Sequence, residues 1–217
     1  MNDFKFIAQQ LRKPSGDFAD TIAGKMGEGN RPLYDLVMES MQINDHDSIL
    51  EIGFGSGTHF PDLLAKADGL RVTGIDHSPE MTDLAKKNNK EFVESGQLTL
   101  FNGNSSRLFF EEDSFDHVFC NMVVYFWDDP AEHLNEIRRV LKAGGLFYTG
   151  MRTSESMLQF PFTKFGFNLF GVEEWISLIK ANGFTVRDVF KKFDPVFDDG
   201  ENRVQLESVC IAAESQG

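Results

Sequence analysis

The chain has 217 residues, 41% of them hydrophobic and 25% charged, enough for one substantial core and short for two full domains. A formal net charge of -13, with a pI near 4.8, works against a nucleic-acid role, because phosphate binding draws on clustered Lys and Arg. No run of about 18 apolar residues argues for a membrane span, and Cys120 and Cys210, far apart in apolar runs, argue for neither a disulfide framework nor a metal site. The N-terminus MNDFKFIAQQLRK lacks the order of a signal peptide, so a cytoplasmic protein with reduced thiols and no membrane partner is expected.

In chain order, residues 1–45 read as a helical extension. Phe4, Ile7, Ala8 and Leu11 repeat at helical spacing, Pro14-Ser15-Gly16 breaks the pattern, and Leu33, Leu36 and Val37 begin a second apolar face. Strand-like and helix-like segments then alternate, as in an α/β fold with parallel strands and crossover helices. SILEIG, RVTGID, LTLF, FDHVFCN and GLFYTGM are the first five strands, with helices beginning near Thr58, Pro79 and Pro130. Residues 152–171 form an insert holding Phe160, Phe162, Phe165, Phe167 and Phe170, either a strand with one aromatic face or a pocket-closing loop. A helix with Trp175, Leu178 and Ile179 on one face follows, ended by Gly183. Two late strands, TVRDVFKKF and RVQLESVCIAA, then form an antiparallel hairpin across the acidic turn DPVFDDGEN. The expectation is a single domain, 1–217, with its core at 46–151 and a terminal helix and hairpin at 172–217. Its architecture would be a Rossmann-like sheet of seven mostly parallel strands flanked by helices.

The run ILEIGFGSG sets Gly53, Gly55 and Gly57 after a buried strand, where a turn followed by a helix aims N–H groups at a ligand. A dinucleotide fingerprint requires glycine at position 58, which is Thr58, so the spacing is GxGxG with Glu51 two residues ahead of the first glycine.

E-x-G-x-G-x-G resembles motif I of the class I S-adenosylmethionine (SAM)-dependent methyltransferases. GIDHSPEM, NMVVYFWDDP and LNEIRRVLKAGGLFYTG resemble the family's later motifs in order and spacing, over about residues 45–151. The resemblance implies SAM as cofactor, a small-molecule methyl acceptor and no metal. It also implies that Glu51, Gly53, Phe54, Gly55 and Gly57 hold the methionine end, and that Asp76 takes both ribose hydroxyls, which suits an acceptor-only carboxylate. His77 and Met81 would flank the adenosine and Asn121 the methionyl end. Asn104 stands where the family usually has Asp, with Ser105 beside it.

Methyl transfer needs alignment and exclusion of water more than a base, and no His, Asp or Cys constellation stands out. Tyr125 is the candidate base or orienting hydroxyl; the alternative makes Tyr125, Phe126 and Trp127 an aromatic wall. His59 reads as a cap or surface residue. Arg31 and Tyr34, within NRPLY, would fold over the methionine end, with Arg31 on the cofactor carboxylate, and Phe160 and Phe162 would help line the acceptor pocket. The alternatives to a small-molecule enzyme are a protein or RNA methyltransferase and a SAM-binding protein without turnover.

Overall fold

A computed structural model describes residues 2–16, 19–198 and 203–216. Helices α1 (Asn2–Arg12) and α2 (Ala19–Ser40) precede β1 (Ser48–Ile52), α3 (Phe60–Leu64), β2 (Arg71–Asp76), α4 (Pro79–Asn88), α5 (Lys90–Glu94) and β3 (Leu98–Asn102). Then come β4 (Phe115–Asn121), α6 (Pro130–Val140), β5 (Leu141–Arg152), α7 (Ser154–Met157) and α8 (Val172–Ala181). The chain closes with β6 (Phe184–Phe193), β7 (Phe197–Asp198), β8 (Arg203–Val204) and β9 (Glu207–Ser215). Seven strands form one sheet in the order β3-β2-β1-β4-β5-β9-β6, with β9 antiparallel to both neighbours. The expected mostly parallel sheet and its antiparallel late pair are both present. Residues 199–202 of the acidic turn lie outside the described residues.

The central strands are buried on both faces, as their near-continuous apolar runs require. Leu50, Ile52, Val118 and Cys120 pack with Leu134 and Ile137 of α6 and Trp175 and Ile179 of α8. On the opposite face Ile49 and Phe119 meet Phe60 and Leu63 of α3 and Leu33 and Val37 of α2. The second half of α2 is therefore core, and only α1 and the first half of α2 are free to serve as a cover.

Capping side chains set the helix starts near the strand ends. Ser78 Oγ accepts the N–H of Met81 ahead of Pro79, and Asp129 accepts that of Ala131 ahead of Pro130. LKAGG lies within β5 as an irregularity, where Leu141 pairs with Phe115 and Leu146 with His117. The insert forms no strand: α7 and a 3-10 turn at Pro161–Lys164 occupy it, and Phe160 stacks on Phe162 at 5.3 Å. Among the described residues no helix is long and apolar enough to cross a membrane, and no cluster of His, Cys, Asp or Glu is suited to a metal ion.

Candidate functional site

Chain order reverses between β1 and β4, and a cavity of about 320 Å³ lies outside the C-terminal ends of the strands at that point, where open α/β sheets bind ligands. The turn after β1 forms its floor. Gly53, Gly55 and Gly57 all take positive φ, of 75°, 56° and 63°. At Gly53 a Cβ would also run into Val123, whereas at Gly57 it would lie 2.8 Å from the Phe60 ring. Gly53 and Gly55 border the cavity; Gly57 does not, and its role is the packing of the turn on Phe60 and Ala85.

Asp76 ends β2 with its carboxylate buried. One oxygen accepts the N–H of Gly55 at 2.9 Å and the other that of Ser78 at 2.9 Å. Burial pushes its pKa up, against the pull of those two N–H groups. Each oxygen keeps a further lone pair, and Asp76 borders the cavity, an arrangement a pair of vicinal hydroxyls fits. His77 beside it is 44% exposed at the side chain, and desolvation lowers its pKa.

One end of the cavity is charged. Glu51 is 1% exposed and its Oε2 lies 2.7 Å from His59 Nε2, while Tyr34 lays its ring 4.1 Å from the His59 ring. Burial raises the Glu51 carboxyl, and the nearby imidazole opposes the rise. His59 does stand at the N-cap of α3, but its side chain makes no capping hydrogen bond and is no surface group: it is 15% exposed and held by a buried acid. Arg31 borders the cavity, but Asp35 at 2.7 Å and Asp62 at 2.8 Å already share its guanidinium.

The other end is flatter, and Asp128, Asp129 and Glu132 border it as well. Met81 and Ile75 face it, and Trp127 stacks on His133 with ring centroids 4.4 Å apart and planes 6° apart. His133 Nδ1 lies 2.7 Å from Ser105 Oγ. Burial lowers the His133 pKa to about 4, despite the opposing pull of Asp129 and Asp128. Asn104 also borders this end, but its side-chain oxygen accepts the N–H of Ser106 at 3.0 Å.

Residues of α1 and α2 form one wall of the cavity. Leu11, Arg12 and Pro14 line it together with Gly27, Asn30 and Arg31 of α2. Arg12 pairs with Asp128 at 2.7 Å, and the buried Ser78 hydroxyl donates to the Pro14 carbonyl at 2.7 Å. Arg152 reaches the Gly29 carbonyl at 2.6 Å and Asn30 Oδ1 at 3.3 Å, while its guanidinium pairs with Asp194 at 2.8 Å.

The cavity brings together Arg31, Tyr34, Glu51, Gly53, Phe54, Gly55, Asp76, His77, Met81, Asn104, Ser105 and Asn121 of the expected residues. Three side chains fall elsewhere. Tyr125 is fully buried, and its hydroxyl donates to the Arg152 carbonyl at 2.8 Å and accepts the Arg152 N–H at 2.6 Å. Burial also pushes that hydroxyl far above its ordinary pKa. Phe160 and Phe162, expected in the acceptor pocket, stack on each other in the turn that contacts α1 and do not border the cavity. Sequence reading missed His59 and His133 as cavity residues. Their partners Glu51 and Ser105 lie 8 and 28 residues away, beyond any local pattern.

A glycine turn and a buried acid at the ends of adjacent strands define a Rossmann-like cofactor-binding protein. Residues 50–149 match the family model described as Methyltransferase domain. The uncharacterized methyltransferase YdaC of Bacillus subtilis is 30% identical over 176 residues, 80% of this chain and 92% of the relative. The demethylmenaquinone methyltransferase of Chlorobaculum tepidum is 36% identical over 102 residues, 46% of this chain and 38% of the relative. A methyltransferase solved in complex with the Trm112 activator of Haloferax volcanii superimposes with a TM-score of 0.76, at 22% identity, over 96% of this chain and 97% of the other. The chain belongs to the class I SAM-dependent methyltransferases, and SAM is its cofactor.

Proposed function

We propose that the chain, as one domain of the cytosol, transfers the methyl group of SAM to a small organic acceptor by direct in-line attack. The observation that carries this reading is the cavity. About 320 Å³ beside α1 and the first half of α2 suits a cofactor with a small molecule. The net charge of -13 weighs against RNA.

In this reading Asp76 takes the ribose hydroxyls, and Gly53 and Gly55 let the backbone approach the methionine part. Glu51, with His59 and Tyr34 around it, and Asn121 lie toward the amino-acid end. SAM supplies the activated methyl group. The side chains of this chain bind, align and exclude water, so no resident base is required. The relative named for demethylmenaquinone is consistent with a small organic acceptor.

Calorimetric titration with S-adenosylhomocysteine, followed by a screen of phenols, hydroquinones, amines and thiols for cofactor turnover, tests the proposal. Binding lost in Asp76→Ala supports the site; no binding at millimolar cofactor rejects it. Binding without turnover across the panel favours a non-catalytic SAM-binding protein.

A second reading is dependence on an accessory protein, since the similar Haloferax enzyme was solved with one. The outer strand β3 has one paired side, and Phe109 beside it is 59% exposed. Turnover that appears only after co-expression with such a partner would favour it.

A further inference from the structure

The flat end of the cavity poses a recognition problem. A purine has a π face and an edge of donors and acceptors, and a site that selects adenine must meet the exocyclic amino group with an acceptor. Asn104, placed where an acid would serve, has its amide oxygen engaged by the Ser106 N–H. No carboxylate stands from Gly103 to Ser106; of those that border the cavity nearby, Asp128 pairs with Arg12 and Asp129 accepts the Ala131 N–H, while Glu132 lies in the first turn of α6 next to His133.

We infer that Ser105 and His133, backed by the stacked Trp127, read the edge of the adenine base in this chain. The inference rests on the reading of the cavity as the SAM site.

Three observations converge on the pair. Both side chains border the cavity at its flat end, beyond Asp76 from the glycine turn. Their mutual contact is short, 2.7 Å between Ser105 Oγ and His133 Nδ1, and both residues are buried. His133 Nε2 makes no hydrogen bond among the described residues and is not among the fully buried, unpartnered atoms, so it keeps an open side on a residue that borders the cavity.

The imidazole stays neutral down to about pH 4, so one ring nitrogen is always an acceptor. When Nδ1–H donates to Ser105 Oγ, Nε2 offers its lone pair to an amino group, and the serine hydroxyl keeps its own hydrogen for a ring nitrogen. The pair thus presents one acceptor and one donor, complementary to the amino group and ring nitrogen on adenine's edge. The parallel stack on Trp127 fixes the plane of the ring, and the Ser105 contact at Nδ1 sets which edge carries Nε2.

The test is a ligand-by-variant cycle on the full chain, reading dissociation constants by calorimetry. The ligands are S-adenosylhomocysteine and its 6-desamino analogue, with purine riboside in place of adenosine. The proteins are wild type, His133→Phe, which keeps a ring on Trp127, and Ser105→Ala. Wild type should prefer the amino-bearing ligand by roughly tenfold, the scale of one hydrogen bond to a desolvated partner. His133→Phe should weaken S-adenosylhomocysteine by a similar factor while leaving the desamino analogue within twofold, so that the preference collapses. Ser105→Ala should weaken both ligands about fivefold, because the hydroxyl faces a ring nitrogen that both share. Unchanged affinities in both variants overturn the inference, as does an equal loss for both ligands in His133→Phe, which marks a packing role only. Failure of wild type to bind S-adenosylhomocysteine would instead reject the cavity as the SAM site.

Discussion

The buried pair Arg152–Asp194 allows a prediction whose size follows from its surroundings. Both side chains are 6% exposed, and Asp194 also accepts the hydroxyl of Ser208 at 2.6 Å. Asp194→Ala leaves the Arg152 cation buried without a counter-charge, a change worth roughly 3–5 kcal/mol where no other partner remains. Here the Gly29 carbonyl and Asn30 Oδ1 remain, so the lower end, about 3 kcal/mol, is expected. That is a large share of the 5–15 kcal/mol typical of a native chain, and for this length corresponds to a fall in Tm of roughly 6–12 °C. The double variant Arg152→Met, Asp194→Leu removes both charges and should recover at least about 1 kcal/mol of the loss. It should still bind S-adenosylhomocysteine more weakly, because Pro32 has no N–H for the Glu28 carbonyl, three glycines weaken this half of α2, and Arg152 anchors it. Urea unfolding with m-values compared across the set measures the stabilities. A loss below 1 kcal/mol in Asp194→Ala, or a double variant no more stable than the single, refutes the reasoning.

Other outcomes follow from the same geometry. Tyr125→Phe strips both hydrogen bonds from the Arg152 backbone and should cost about 1–3 kcal/mol of stability, while turnover per folded molecule stays within a few-fold of wild type; a hundredfold fall in kcat with normal cofactor affinity would return Tyr125 to the chemistry. Gly57→Ala should destabilise by about 1–2 kcal/mol from its left-handed φ alone, and further from the Phe60 contact, as read by thermal unfolding. His133 has a pH signature. The unfolded residue takes up a proton near pH 6.5 and the folded one only near pH 4, so the unfolded state binds more protons between those values. His133 therefore withdraws stability as pH falls through that window, and His133→Phe should flatten that part of the stability curve relative to wild type; an unchanged slope contradicts the assigned burial.

Local chemistry explains which features were legible in the sequence. β1, β2 and β4 are near-continuous apolar runs ended by Gly53, Asp76 and Asn121, and a buried parallel strand leaves that trace without reference to any partner. The helix starts at Pro79 and Pro130 carry their own caps, Ser78 and Asp129. The glycine turn and Asp76 meet because β1 and β2 are parallel neighbours, so two local motifs become one site through the regular spacing of a sheet. Residues 152–171 offered no such regularity. FPFTKFGF alternates as a strand would, but Pro161 withholds an N–H and Gly166 adopts a φ of 76°, so the segment turns rather than extends.

The same contrast separates the two ends of the cavity. The ribose acid was readable because a strand end and an acid are adjacent in sequence. The pairs Glu51–His59 and Ser105–His133 were not, since each joins a strand end to a residue at or inside a helix whose angle on the sheet decides the contact. His133 lies at the buried edge of α6, one position before Leu134, and by spacing alone reads as part of the face packed on the sheet. What distinguishes it from a packing residue is Trp127, which precedes the helix by three residues, stacks on the ring and borders the cavity with it. An aromatic residue shortly before a capped helix, with histidine on that helix's first turns, is therefore a local signal for a flat-ligand slot. A single substitution tests it: Trp127→Leu should weaken binding of S-adenosylhomocysteine at least tenfold while the Glu51–His59 end stays intact, and an affinity within twofold of wild type would leave the stack a packing feature of the core.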